Sequence, residues 1–96
     1  MPRYFFHVHT GTDTAIDHDG TELASLEDAV SEAVEDHLSF AIEALRRRQP
    51  LPYSYEIGIC DAKGRLLTEV AFTHAIEALS AMGRGGERAA VVGCNR

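Results

Sequence analysis

Residues 25–48, SLEDAVSEAVEDHLSFAIEALRRR, form the longest periodic stretch of the chain. Leu26, Ala29, Val30, Ala33, Val34, Leu38, Ala41, Ala44 and Leu45 recur at spacings of three and four, which on an α-helix gathers them into one broad apolar stripe. Ser25 stands at an N-cap position with Asp28 where a capping-box acid belongs. Glu27 and Asp28 in the first turn and Arg46, Arg47 and Arg48 in the last turn both complement the helix dipole. Pro50 and Pro52 bar further helix, since proline lacks an amide donor and disfavours helix in the residue before it. The pattern therefore predicts one long amphipathic helix from Ser25 to Arg48, and its stripe requires a second layer to cover it.

That layer is legible on both sides. Arg3 to His9 alternates, with Tyr4, Phe6 and Val8 on one face and Phe5, His7 and His9 on the other, the signature of a strand. A turn at Thr10 to Thr14 predicts a short returning strand at Ala15 to Asp17, followed by a turn at His18, Asp19 and Gly20; Thr21 to Leu23 then leads into the helix. Beyond the helix, Tyr53, Tyr55, Ile57 and Ile59 alternate with Ser54, Glu56, Gly58 and Cys60. Asp61 to Gly64 supplies a tight turn, and Leu66, Thr68, Val70 and Phe72 continue the inward face of the hairpin. Thr73 is placed to cap a short second helix with Ala75, Ile76, Leu79 and Met82 on its apolar side.

The order β-β-α-β-β-α predicts an α+β two-layer sandwich, one antiparallel sheet packed on the long helix. The expected domain runs over residues 1–82, with a flexible Gly/Arg-containing tail at 83–96. One sheet face, with Tyr4, Phe6, Val8, Tyr55, Ile57, Ile59, Val70 and Phe72, belongs under the helix. The other would carry Phe5, His7, His9, Glu56, Gly58, Cys60, Leu67, Glu69 and Ala71, more apolar than a solvated face needs.

With 96 residues and 45% hydrophobic content, the chain buries a single layer of core. No run approaches the roughly 20 apolar residues of a membrane span, and the N-terminus lacks the pattern of a signal peptide, so the expected location is the cytoplasm and no membrane partner is expected. Cys60 and Cys94 show neither a disulfide framework nor zinc-motif spacing and are expected as free thiols. Charge is divided unevenly: residues 1–45 carry one arginine against ten carboxylates, and residues 46–96 carry eight cations against five. This disfavours nonspecific nucleic-acid binding by the first half and is compatible with self-association.

Three segments together, Pro2-Arg3-Tyr4-Phe5-Phe6-His7-Val8-His9, Asp17-x-x-Gly20-x-Glu22-Leu23 and Asp61-x-x-Gly64-Arg65, resemble a family of small bacterial proteins, a domain of unknown function opening on a strand of this type. The resemblance spans roughly residues 2–76. It implies no activity, substrate or catalytic residue.

Among side chains that carry chemistry, His7 and His9 share a face of the first strand, and Asp17 and Asp19 lie on the neighbouring return. Imidazole and carboxylate in that arrangement are the donor set of zinc or another divalent cation, and a metal-bound water would make the site a hydrolase. The bland alternative is a polar strand face. His37 falls within the helical stripe and reads as a core histidine with one hydrogen bond, with a pH-sensitive role as the sharper alternative. No base or helix end is named for Cys60, and Gly83 to Gly86 lacks the Lys-Ser/Thr of a phosphate loop. Arg46 to Arg48 serve the helix dipole and pairs such as Glu43 with Arg47 before any phosphate.

The leading expectation is a non-enzymatic interaction or regulatory module, a homodimer or protein-binding unit. Its interface would contain Phe5, His7, His9, Leu67 and Ala71, and no catalytic residue or cofactor is assigned. Alternatives are a metal-binding protein or metal-dependent hydrolase using His7, His9, Asp17 and Asp19, and an antitoxin-like nucleic-acid-associated regulator, the last on fold analogy alone.

Overall fold

The computed structural model describes residues 1–78. In chain order the elements are β1 (Arg3–His9), β2 (Thr14–Ala15), β3 (Thr21–Glu22), α1 (Leu26–Arg46), β4 (Glu56–Cys60) and β5 (Leu66–Ala71), with a second helix over residues 72–78. The α+β class is as the pattern predicts: one antiparallel sheet of five strands packed with two helices, one of them long. Of the expected tail at 83–96, and of Leu79 and Met82, all residues lie outside the described ones.

The sheet runs β2-β1-β4-β5, and β3 also pairs with β1. Strand β1 holds β4 along Phe5 to His9 on one edge. Its other edge is shared, with β3 opposite Arg3 and Tyr4 and β2 opposite Val8 and His9. The bond from Leu23 N to Pro2 O (3.1 Å) extends the β3 ladder. Two expectations change here. The return strand is Thr14–Ala15 rather than Ala15 to Asp17, and Thr21–Glu22 is itself a strand rather than a lead-in. The physical reason is that two residues suffice to close a ladder against an existing strand, too short a run for alternation to reveal.

Helix α1 begins as expected. Ser25 has extended backbone and its Oγ accepts the Asp28 amide at 3.1 Å. Its buried line is Ala29, Ala33, His37, Ala41 and Ala44, four alanines around one histidine. Leu26, Leu38 and Leu45, expected in the stripe, are exposed instead. The helix is turned so that the alanines face the sheet and the leucines flank the contact. It ends at Arg46, two residues short of the expected boundary, because the chain reverses there: Gln49 N donates to Ala44 O and Arg48 N to Leu45 O, with Arg48 at φ 56°. This is a Schellman ending, complete before either proline is reached.

Beneath α1 the sheet buries Tyr4, Phe6, Ile57, Ile59 and Val70, joined by Ala75 from the second helix; Val8, Leu23, Val30, Val34 and Phe40 pack around them. Tyr53 and Ser54 form a turn rather than strand, and β4 starts at Glu56. The second helix starts at residue 72, so Thr73 lies inside it instead of capping it. A register shift at Ile59/Cys60 sets Leu66 opposite Cys60, which moves Leu66 to the face away from α1.

Candidate functional site

The open sheet face is built in three rows by the pairing of β1, β4 and β5. Phe5, Cys60 and Leu66 form the first, His7, Gly58 and Glu69 the second, and His9, Glu56 and Ala71 the third. A β-carbon at Gly58 would lie 3.3 Å from Leu66 Cδ1 and 3.4 Å from His9 Nε2. The side chains of neighbouring strands thus lean over the central strand, and Gly58 and Cys60 are buried although they belong to the open face. The thiol of Cys60 is free and covered, not presented. Phe5, His7, His9 and Ala71 are half-buried, whereas Leu66 and Leu67 are 57% and 40% exposed. A shallow hollow of about 180 Å³ opens among Phe5, His7, Cys60, Asp61, Ala62 and Gly64.

Beside this face, residues 16–20 leave the sheet between β2 and β3. In an antiparallel strand alternate residues turn their backbone groups to alternate edges. Of Phe5, Phe6 and His7, Phe6 alone turns its N–H to this gap, and Asp17 Oδ2 accepts it at 3.1 Å. Asp17 Oδ1 accepts the amides of Asp19 (3.1 Å) and Gly20 (3.0 Å). Burial is the largest influence on this carboxyl and raises its pKa. The amides of Gly20, Phe6 and Asp19, with His7 nearby, together outweigh it, so Asp17 lies below its ordinary 3.8. The Asp17 amide donates to His7 Nδ1 at 3.1 Å, which leaves the proton of the neutral ring on Nε2. Gly20, at φ +73°, closes the loop against β1, where a β-carbon would meet Phe5 Cε2 at 2.9 Å and Tyr4 O at 3.0 Å.

The second Asp-x-x-Gly does the same work in the β4–β5 hairpin. Asp61 Oδ1 accepts the amides of Lys63 and Arg65, and Oδ2 accepts Arg65 Nε, each at 2.9 Å. The Arg65 amide first, then its guanidinium and the Lys63 amide, lower the Asp61 pKa against a smaller opposing effect of burial.

Of the four residues considered for a metal, the structure brings His7 and Asp17 together through a backbone amide and a shared loop. His9 Nδ1 pairs with Thr14 Oγ1 at 3.0 Å, and Asp19 contributes its main chain, its carbonyl accepting Arg3 Nη1 at 2.9 Å. Among the described residues no group of three or more His, Cys, Asp or Glu side chains is placed to hold a metal ion. Of the residues considered for an interface, Phe5, His7, His9 and Ala71 share the open face, with Leu67 at the register shift beside them. Sequence reasoning missed Leu66, the most exposed large apolar residue of this face, because the register shift that turns it outward leaves no mark in the alternation.

Apart from Pro2, the three segments that knit these loops together fall within residues 3–73, which match the family model described as Domain of unknown function (DUF6894). The chain belongs to this family. In the DUF6894 domain as it stands here, the Arg3 to His9 strand and both Asp-x-x-Gly segments are accounted for by folding: they complete a sheet edge and two turns. Neither the curated proteins nor the solved structures give a match to the chain. Among the described residues no helix is long and apolar enough to cross a membrane.

Proposed function

We propose that this DUF6894 domain is a non-enzymatic, cytoplasmic interaction module that self-associates as a homodimer through its open sheet face. The observation that carries this reading is Leu66, 57% exposed beside half-buried Phe5, His7 and Ala71 on a face that no other layer covers among the described residues, with Leu67 exposed at the register shift next to it. The polar side chains that drew attention to chemistry support it from the other direction. The Asp17 carboxylate is spent on amides of its own loop and of β1, the Asp61 carboxylate on amides of its own turn and the Arg65 guanidinium, and the His7 Nδ1 lone pair on the Asp17 amide. A carboxylate so engaged is a turn cap, and releasing it to a substrate would cost the loop its closure.

Light scattering with sedimentation equilibrium tests the reading. The wild-type protein is expected as a dimer, and Leu66→Glu is expected to weaken the dimer at least about tenfold by burying an unpaired charge at the contact, with an unchanged circular dichroism spectrum. A wild-type protein that stays monomeric at millimolar concentration would overturn it.

A further inference from the structure

One polar group lies in the middle of the contact between helix and sheet. His37 on α1 is fully buried, and its Nε2 lies 2.7 Å from the carbonyl oxygen of Val70 on β5. A carbonyl only accepts, so Nε2 carries the proton and Nδ1 is left with a bare lone pair. That Nδ1 is buried and has no hydrogen-bond partner among the described residues. Two rings meet the imidazole edge to face, Phe40 of α1 at 6.1 Å and Phe72 at the start of the second helix at 5.7 Å. Behind them, Tyr55 stacks edge-on against Phe40 and Tyr53 against Phe72. His37 is therefore the point at which α1, β5 and the helix of residues 72–78 are joined.

Charged groups of these elements turn elsewhere. On α1, Glu32 and Glu35 act on Asp36, and none of the three acts on His37. Glu69 of β5 is exposed on the opposite sheet face, and His74 and Glu77 of the second helix are exposed. A proton added at Nδ1 would place a cation in an aromatic and aliphatic setting, with a new donor that faces no acceptor among the described residues. Burial depresses the His37 pKa below the ordinary 6.5, and the bond to Val70 only partly offsets this.

We propose that His37 is an acid-sensitive latch: in its neutral form it fastens the middle of α1 and the helix of residues 72–78 to the β4–β5 half of the sheet, and protonation of its second ring nitrogen releases them. The sign follows from linkage. Because the folded form binds the proton less readily than the unfolded chain, the latch is fully closed above 6.5 and weakens as pH falls below it, by up to about tenfold in the closing equilibrium per pH unit until the folded value is reached. Over this range Asp17 keeps its charge and its carboxylate's amide bonds, so the loop that it closes onto β1 is expected to hold. Release would thus be partial opening, not general unfolding.

Hydrogen exchange and thermal melting of the full chain at about pH 7.5 and about pH 5.5 test this, beside His37→Phe, which keeps a ring in place and cannot titrate. In the wild type, protection is expected to fall in residues 36–46 and 70–78 while residues 3–8 keep theirs, and Tm is expected to drop by about 5 °C. The variant should lose most of that pH dependence. An equal drop in His37→Phe would overturn the latch. Should that variant not fold, an NMR titration of the wild-type ring decides: protonation below 6.5 coinciding with the local loss of protection upholds the proposal, and titration at or above 6.5, or uniform loss of protection along the chain, refutes it.

Discussion

Asp17 shows how much a single side chain contributes to this fold. Its carboxylate accepts three amides from two segments, and its own amide is taken by His7, so one residue closes the five-residue excursion between β2 and β3 onto β1. Hydrogen bonds to a charged acceptor contribute about 1.5–3 kcal/mol, and here the bond from the Phe6 amide is part-buried. Asp17→Ala is expected to destabilise the domain by about 2 kcal/mol in urea unfolding, and Asp17→Asn, which keeps one acceptor oxygen, by roughly half as much. An Asp17→Ala variant as stable as the wild type would show that the loop closes without its cap. The sequence sets an imidazole beside a loop rich in acids, because His7 faces the return, and in the structure the ring meets the main-chain amide of Asp17 while the carboxylate turns to other amides. What it does not announce is the use. Whether Asp17 serves a cation or a backbone amide depends on which edge Phe6 N faces, which is a matter of pairing and not of residue type. The Asp-x-x-Gly spacing was the available signal, since an Asp with a Gly three residues on is the side-chain-capped turn seen twice in this chain.

At the scale of elements, the bodies, the start of α1 and both ends of β1 were legible, and the other ends were not. The α1 body follows from three-and-four spacing, and β1 and β4 follow from alternation, because each pattern repeats enough to exceed chance. Strands β2 and β3, two residues each, have no period to read, and the shift that turns Leu66 outward is a single unpaired step between β4 and β5. The end of α1 is the instructive case. Pro50 and Pro52 were sufficient to stop a helix, yet the chain is already reversed at Arg48, held in the left-handed region at φ 56° by the Schellman bonds. A side chain with a β-carbon is strained there by about 1 kcal/mol, and the position is one that glycine fills at little cost. Arg48→Gly is therefore expected to raise stability by about 0.5–1 kcal/mol in urea unfolding, even though it removes a cation from the negative end of the helix dipole. A loss of stability instead would mean that the Arg48 charge outweighs the strain of its backbone.

For the molecule as a whole, the uneven distribution of charge puts ten carboxylates in the first 45 residues, and α1 bears most of them. Asp36 registers the consequence. It is half-buried, and burial first, then Glu32, Glu35 and Asp17, push its pKa above the ordinary 3.8. The folded protein thus holds the Asp36 proton more tightly than the unfolded chain does, so the ionised carboxylate opposes folding at neutral pH. That cost is complete above the folded pKa and disappears below 3.8. Asp17 and Asp61 have the opposite sign: their contribution is complete above 3.8 and fades as pH falls through their lowered values. The acid limb of the stability curve is the difference between these effects. Asp36→Asn separates them. It is expected to gain about 0.5 kcal/mol near pH 7, the size of a like-charge i,i+4 pair such as Glu32 with Asp36, and to show no gain near about pH 3.5, where the wild-type carboxyl takes up its proton. Added salt should narrow the difference at pH 7, since it screens the same repulsion. A neutral-pH advantage that persists unchanged in acid would trace the effect to packing or hydrogen bonding by the amide, and the acidic half of the chain would then carry no electrostatic penalty at this position.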